Sequence, residues 1–251
     1  MATTAAARRE PALAGQTVVV IGGSAGIGLE TARLARAEGA DVIVTGRDPD
    51  RLARAAGELG AAGSAAFDAT DPAALDRFFR ELPGPVDHVM ITAGRPYYGL
   101  LAEMDVAEAR RSFDEHMWLP INVARHATGT VRPGGSLLFM GGTGARRPAP
   151  GLVVAAMGTA ALPAMTAGLA LELAPIRVNI IAAGFVDTPL SAQLLGDRLD
   201  ERRAQLAAAL PIRRVVGPAD VAALAVHLMA NTALTGATYD IDGGQQVLPA
   251  G

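Results

Sequence analysis

The sequence Gly22-Gly23-Ser24-Ala25-Gly26-Ile27-Gly28 follows a short β-branched run, residues 17–21, and leads directly into a helix-like segment. Glycines allow the backbone to turn sharply and to approach a bound group closely. The first N–H groups of the following helix attract a phosphate. A glycine-rich turn can also be a simple connection. Its position between the first strand and the first helix of a βαβ unit instead predicts a dinucleotide-phosphate site.

Short apolar runs alternate with helical patterns along the rest of the chain. Buried strands are predicted at residues 17–21, 41–45, 86–91, 136–140 and 178–182. Helices are predicted at residues 26–38, 49–59, 72–82, 106–128, 151–173 and 218–230. The alternation favours an α/β Rossmann fold, a doubly wound parallel sheet with helices on both faces.

The chain of 251 residues fits one domain. We expect a flexible N-terminal tail over residues 1–14, without the apolar core of a secretion signal, and a single domain over residues 15–251. Residues 187–213 are polar and helical between two units of the sheet, which predicts a substrate lid.

The amino-acid composition limits the classes of binding partner that can be expected. With 22 basic and 25 acidic residues, a net charge of −3 gives no reason to expect nucleic acid or an anionic membrane. The absence of cysteine excludes disulfides, thiol nucleophiles and cysteine metal sites. No apolar stretch of membrane-spanning length lacks a charge or a Pro/Gly break, so no membrane partner is expected. A small-molecule substrate and a cytoplasmic location are the default expectations.

Two segments, one at Arg47 and one at Asp68 and Ala69, contain candidate residues for binding the nucleotide. Arg47 ends the second strand, where a protein specific for NAD usually places an acidic residue on the ribose hydroxyls. A guanidinium suits a phosphate, so Arg47 favours NADP(H) over NAD(H), although an ordinary solvated arginine beside Asp48 and Asp50 has the same appearance. Asp68 and Ala69 follow the third strand and are candidates for holding the adenine; Asp68 is equally compatible with a helix-start acid.

These residues and five further motifs, in order from about Gly15 to Gly244, resemble the short-chain dehydrogenase/reductase superfamily. The motifs are Ile91-Thr92-Ala93-Gly94, the run from Leu169 to Pro175, Ile176-Arg177-Val178-Asn179, Ala183-Gly184-Phe185-Val186-Asp187-Thr188 and Ile241-Asp242-Gly243-Gly244.

The resemblance implies a seven-stranded parallel sheet and a nicotinamide cofactor across the strand ends. It also implies a homodimer or homotetramer built on the two long central helices. The cofactor-binding residues it implies, together with those of the glycine turn and the nucleotide positions above, are Gly22, Ser24, Ala25, Gly26, Ile27, Gly28, Arg47, Asp68, Ala69, Thr92, Ala93, Gly94, Gly184, Phe185, Val186 and Thr188.

The catalytic residues of that family are missing where the resemblance would put them. Its Tyr-x-x-x-Lys pair falls on Ala155 and Thr159, its serine on Gly142, and its asparagine on His116. No tyrosine lies between Tyr98 and Tyr239, and the chain contains no lysine. The usual proton relay is therefore absent from the sequence.

Other side chains are candidates to replace it. His116 is the leading acid/base candidate, because imidazole exchanges protons near neutral pH; the alternative is that it fills the asparagine's space. Thr143 offers a hydroxyl to a substrate carbonyl or stabilises its turn. Tyr97 and Tyr98 at the pocket rim contact substrate or pack against the lid. Arg146 and Arg147 pair with a substrate anion or are solvated loop residues. The other histidines have no metal-ligand companion, so no metal is expected.

Three functions remain open on the sequence alone. The first is an atypical NADP(H)-dependent oxidoreductase acting on a small carbonyl or alcohol with altered acid/base groups. The second is a non-redox enzyme, such as a cyclase, dehydratase or isomerase, on the same scaffold. The third is a catalytically inactive nucleotide-binding or scaffold subunit. Fold alone does not decide among them.

Overall fold

Seven parallel strands form one sheet in a computed structural model that describes residues 10–147 and 149–248. The strand order is β3-β2-β1-β4-β5-β6-β7. The order reverses between β1 and β4, which is the switch point at which such sheets bind ligands. The strands are β1 Thr17–Ile21, β2 Asp41–Gly46, β3 Gly63–Ala66, β4 Val86–Ile91, β5 Val131–Gly142, β6 Arg177–Ala183 and β7 Thr238–Ile241.

Helices cover both faces of the sheet, which confirms the predicted fold class. Alternate residues of β1 point to opposite faces, so Val19 and Ile21 join one buried core while Val18 and Val20 join the other. The first core is closed by α3, α4 and α5, and the second by α1, α2 and α8. The helices are α1 Gly26–Ala37, α2 Pro49–Leu59, α3 Pro72–Arg80, α4 Val106–Ala127, α5 Val153–Glu172, α6 Pro189–Leu195, α7 Leu199–Ala209 and α8 Pro218–Ala230.

Aspartates fix the starts of three of these helices. The side chains of Asp48, Asp71 and Asp105 accept hydrogen bonds from first-turn N–H groups of α2, α3 and α4. Each satisfies donors that have no partner within the helix. These caps place α4, which carries His116, at a defined depth beside the sheet.

The domain begins earlier than the sequence suggested. Residues 1–9 of the expected tail lie outside the described residues. Leu13, however, is fully buried in the core below α1, and its N–H donates to the Glu38 carbonyl at 2.9 Å. The expected boundary at residue 15 is therefore wrong for the residues just before it, because an apolar side chain there closes the end of α1.

Helix α5 is apolar over most of its length. By length and composition alone it could cross a membrane, and it is the one helix of that kind in the described ranges. Its Leu162 and Thr166 are buried inside the domain, whereas most of its surface is not.

Candidate active site

The glycine turn is packed against the end of β4 so closely that side chains are excluded. Gly22 has φ +97°, and a Cβ there would lie 2.6 Å from the Ala93 nitrogen. A Cβ on Gly28 would lie 2.3 Å from the Gly22 oxygen. The Thr92 hydroxyl donates to that same oxygen at 3.1 Å. The turn therefore holds a fixed shape at the switch point of the sheet.

The start of α1 is left open for an anion. No side chain caps it, its first turn contains no acidic residue, and Leu29 has the first N–H that bonds back, to the Ala25 carbonyl. This contrasts with the aspartate caps of α2, α3 and α4. An aspartate here would repel a phosphate, whereas free N–H groups and the positive end of the helix dipole attract one.

Three residues predicted to bind the nucleotide, Ser24, Arg47 and Asp68, lie just beyond the ends of β1, β2 and β3. A Cβ on Gly46 would lie 2.8 Å from the Ser24 hydroxyl oxygen, so Ser24 lies against the end of β2, next to Arg47. Arg47 is exposed, and its guanidinium has no hydrogen bond or ion pair within the described part of the chain. Partial burial opposes ionisation of Asp68, but hydrogen bonds from Thr70 and the charge of Arg47 lower the pKa of its carboxyl overall.

A cavity of about 850 Å³ extends from this turn to the segment of residues 187–213. It is within the range of small-molecule sites. Residues from the predicted cofactor set that line it are Ala25, Gly26, Ile27, Gly28, Thr92, Ala93, Gly94, Gly184, Phe185, Val186 and Thr188. Gly22, Ser24, Arg47, Asp68 and Ala69 do not line it and lie toward the ends of β1, β2 and β3. The segment of residues 187–213, which is predicted to be a lid, contributes Pro189, Leu190, Ser191, Leu194, Leu195, Arg198 and Arg202.

His116 lies in the cavity wall with a defined orientation. Its Nδ1 lies 2.7 Å from the Ser112 carbonyl oxygen, one helical turn back, so Nδ1 carries a proton and donates it. The other edge of the ring faces Gly94, where a Cβ would lie 3.6 Å from Cε1 and 3.8 Å from Nε2. With Nδ1 committed to the backbone, Nε2 is the nitrogen available for proton exchange.

Glu115 and Ser112 hold the loop after β4, and sequence reasoning missed both. The Glu115 carboxylate accepts from the Arg95 N–H at 2.8 Å, and the Ser112 hydroxyl donates to the Arg95 carbonyl at 2.7 Å. Both side chains are buried and line the cavity. The only signal was their spacing from His116 on one helix, which does not identify a partner in another segment.

The part of the cavity wall formed by the end of β5 and by α5 is built from small residues. Ala155 and Thr159 of α5 line the cavity together with Gly142 at the end of β5. Thr159 is committed structurally, because its hydroxyl donates to the Ala155 carbonyl and accepts from the Ala145 N–H, each at 2.9 Å. Thr143 is buried in the same wall, and its hydroxyl has no hydrogen-bond partner among the described residues.

The tyrosines differ in their availability. The Tyr97 hydroxyl accepts from the Asp105 N–H at 2.8 Å, so this buried ring holds the start of α4 while its surface lines the cavity. Tyr98 lines the same cavity, but its side chain is half exposed. Tyr97 is therefore a structural wall residue, and of these two cavity-lining tyrosines Tyr98 is the one whose hydroxyl has no hydrogen-bond partner among the described residues.

Arg146 does not line this cavity. Its guanidinium forms a two-pronged ion pair with the Asp240 carboxylate, and it lines a smaller cavity of about 270 Å³ that shares Gly141, Gly142 and Thr159 with the larger one. Hydrogen bonding to Asp240 raises the pKa of the guanidinium despite partial burial. Arg147 donates to the Gln245 carbonyl at 2.6 Å. Arg146 stays a predicted substrate residue, although Asp240, 94 residues later in the chain, already pairs with its guanidinium.

No group of three or more His, Asp or Glu side chains is placed to hold a metal ion in residues 10–147 and 149–248. The polar side chains of the cavity wall are a histidine, hydroxyls, a glutamine, arginines and two carboxylates.

Comparisons with known proteins give the family. The model for the family described as enoyl-(acyl carrier protein) reductase matches residues 22–246. The short-chain dehydrogenase/reductase ATR9 of Stachybotrys chlorohalonatus is 31% identical over 252 residues, covering 93% of this chain and 98% of that protein.

Two solved structures are similar over nearly their full lengths. A small-chain dehydrogenase in complex with NADPH has a TM-score of 0.81 at 30% identity, covering 92% of this chain and 99% of that one. The reductase/Diels-Alderase MalC of Malbranchea aurantiaca has a TM-score of 0.88, covering 95% and 99%; its 24% identity shows the fold alone. The switch-point cleft, the order of motifs and the family match agree, and the chain belongs to the short-chain dehydrogenase/reductase superfamily.

Proposed function

We propose that the protein is an NADP(H)-dependent oxidoreductase that acts on a small carbonyl or alcohol and uses His116 in place of the family's tyrosine. The observation that carries the proposal is one cavity that joins the uncapped start of α1 to the His116 side chain. The small-chain dehydrogenase bound to NADPH supports the choice of cofactor class.

The residues present fit a dinucleotide. The open N–H groups of α1 suit its diphosphate, and Arg47 beside Ser24 suits a ribose phosphate. Gly94 and the segment Gly184–Thr188 line the deeper part of the same cavity and suit the nicotinamide end. When bound, the cofactor supplies or accepts the hydride.

His116 supplies the proton. In reduction, Nε2–H of the imidazolium donates its proton to the carbonyl oxygen while Nδ1–H keeps its bond to the Ser112 carbonyl. In oxidation, neutral Nε2 accepts the hydroxyl proton. The backbone bond at Nδ1 serves both directions, because Nδ1 is a donor in both protonation states. The Thr143 hydroxyl, which has no partner among the described residues, orients the substrate oxygen.

The proposal also includes an oligomeric state, a lid and a cellular location. The exposed apolar surface of α4 and α5 suits a homodimer or homotetramer. Residues 187–213 form a lid whose entry is tied down by Arg203, which donates to Asp187 through Nε at 3.0 Å and a terminal nitrogen at 2.8 Å. We place the protein in the cytoplasm, which is the default expectation from its sequence.

The test begins with calorimetric titration of NADPH and NADH, followed by a panel of small aldehydes and ketones monitored by NADPH absorbance. We expect His116→Ala and His116→Gln to lower turnover by about 10²- to 10⁴-fold, the range for loss of a positioned acid/base group, with NADPH affinity unchanged. His227→Ala is the matched control, because His227 is exposed on α8 away from the cavity.

Other results would select other functions. Product formation without a change in NADPH absorbance would favour a non-redox reaction such as cyclisation, dehydration or isomerisation. The small Ala155 and the committed Thr159 in the wall favour this second candidate, since neither can relay a proton as the family's pair does. NADPH binding without turnover of any substrate would leave a nucleotide-binding or scaffold subunit. Failure to bind either nucleotide would contradict the proposal.

A further inference from the structure

Three arginines line the cavity, and none was singled out by a sequence motif. Arg95 lies in the loop after β4, and Arg198 and Arg202 lie at the start of α7 in the lid segment. Arg198 and Arg202 are four residues apart, so their side chains project from the same side of the helix. Two segments far apart in sequence thus bring guanidinium groups to one cavity.

These three guanidinium groups are unpaired, in contrast to their neighbours. In the part of the chain that the structure describes, none of them forms a hydrogen bond or an ion pair. On the same helix, Arg203 is bound by Asp187 and by Asp200, the latter at 2.8 Å. Arg214 is likewise bound by Asp220. Arg203 and Arg214 therefore have carboxylate partners, whereas the three arginines that line the cavity do not.

Two carboxylates line the same cavity, those of Glu115 and Glu108, and neither forms an ion pair with these arginines in the described residues. Glu115 accepts a hydrogen bond from the Arg95 backbone N–H. Arg95 and Arg198 are exposed and Arg202 is half-buried, so a bound anion would gain charge-assisted hydrogen bonds from guanidinium groups with which no described carboxylate pairs. Arginine is also the side chain that best matches a carboxylate or phosphate with two hydrogen bonds.

We infer that the substrate carries an anionic group with at least two oxygens, a carboxylate or a phosphate, held by Arg198 and Arg202 with Arg95. The anionic group is additional to the carbonyl or hydroxyl that reacts at His116. Leu152, Val154, Leu194 and Leu195 line the same cavity and suit an apolar connection between the two ends. The inference that the bound anion is a substrate rests on the proposed function, whereas the anion site itself does not.

The experiment measures binding without turnover. Protein saturated with NADP⁺, which has no hydride to give to an oxo compound, is titrated by calorimetry with levulinate, longer oxo-carboxylates and their methyl esters. Dihydroxyacetone phosphate and dihydroxyacetone form a second pair that separates phosphate from carboxylate. We expect each anion to bind at least about tenfold more tightly than its neutral partner, the scale of a charge-assisted hydrogen bond.

Variants assign the effect to the arginines. The double variant Arg198→Gln/Arg202→Gln is expected to lose the preference for the anion, and Arg95→Gln to reduce it. Arg77→Gln is the matched control, because Arg77 is exposed on α3 and unpaired within the described ranges. Circular dichroism and the unfolding midpoint check that each variant is folded.

The outcomes are distinct. Equal binding of anion and neutral partner, or no arginine-dependent binding of any probe, would overturn the inference. Weakened NADP⁺ binding with unchanged probe binding would also overturn it, because the arginines would then serve the cofactor's diphosphate. Arginine-dependent binding of a probe without NADPH-driven reduction would support the anion site while contradicting the proposed oxidoreductase function.

Discussion

Arg47 is the residue on which the proposed preference for NADP(H) rests. It is exposed at the end of β2 beside Ser24, and its guanidinium forms no hydrogen bond or ion pair with a described residue, although its charge acts on the nearby Asp68 carboxylate. We expect Arg47→Glu to weaken NADPH binding by about tenfold or more, because a carboxylate there repels the ribose phosphate and accepts hydrogen bonds from ribose hydroxyls.

Calorimetric dissociation constants for NADPH and NADH in the wild type and this variant check the prediction. Arg77→Glu makes the same change of charge on α3 and should leave both constants unchanged. An unchanged NADPH-to-NADH ratio in Arg47→Glu would remove Arg47 from the nucleotide site.

His88 links stability to pH. Burial, with a smaller contribution from Arg177 and despite Asp87, lowers the pKa of this imidazole from 6.5 to about 4. Its Nε2 lies 2.6 Å from the Gln16 side-chain oxygen and its Nδ1 lies 2.8 Å from the Ser136 hydroxyl, which together suit a neutral ring with one donor and one acceptor.

Because the unfolded chain protonates His88 near pH 6.5 and the folded chain near pH 4, the folded state loses stability as pH falls between these values. The loss reaches about 3 kcal/mol of the free energy of unfolding. Urea unfolding across this pH range should show it in the wild type and not in His88→Gln. Parallel pH dependences in the two proteins would contradict the prediction.

Sequence reasoning on single residues succeeds where the backbone sets the requirement and fails where a distant partner does. Gly22 and Gly28 could be recognised because no side chain fits at their positions. Arg146 could not be assigned, because its partner Asp240 is adjacent only after β5, β6 and β7 are assembled. Arg198 and Arg202 were missed because the sequence does not show that they line the same cavity as Arg95.

At the scale of elements, the five predicted strands are internal to the sheet, and the two that pattern alone did not identify are its edges. Strand β3 reads Gly-Ser-Ala-Ala and β7 reads Thr-Tyr-Asp-Ile. Internal parallel strands are covered on both faces and show apolar runs, whereas short edge strands need not. The seven-stranded sheet was expected only through the family resemblance.

The side chain of Thr166 in helix α5 offers a test of how this helix packs. The Thr166 hydroxyl is fully buried without a hydrogen-bond partner in the described part of the chain. Valine replaces this hydroxyl by a methyl group of the same size, which needs no hydrogen bond when it is buried. Thr166→Val should therefore raise the free energy of unfolding by about 1 kcal/mol. For a domain of this size the unfolding midpoint should rise by roughly 2–4 °C.

Differential scanning calorimetry on the two proteins measures this change. Thr232→Val removes an exposed hydroxyl and should alter the midpoint much less. A midpoint for Thr166→Val at or below the wild-type value would mean that the hydroxyl has a partner in solution, such as a bound water.

For the whole molecule, the remaining question is what covers the exposed side of α5. Its outward residues Val153, Met157, Ala160, Ala164, Ala167 and Leu171 recur at helical spacing and are all apolar. Leu171 is 83% exposed, and Trp118 on the neighbouring α4 is 56% exposed. Small residues in the middle of the stripe allow a second helix to approach closely, so a two-fold pairing of α5 with its copy is the arrangement we expect.

Ala164→Glu places two like charges near the centre of such a pairing, because a two-fold interface repeats every substitution. Since like charges facing each other cost several kcal/mol, the dimer dissociation constant should rise by at least about tenfold. Sedimentation equilibrium over a range of concentrations measures that constant. Ala53→Glu, an exposed alanine on α2, makes the same substitution on a helix outside the stripe and should leave assembly unchanged. A wild-type chain that remains monomeric at high concentration would show that the apolar stripe of α5 is not a self-association surface.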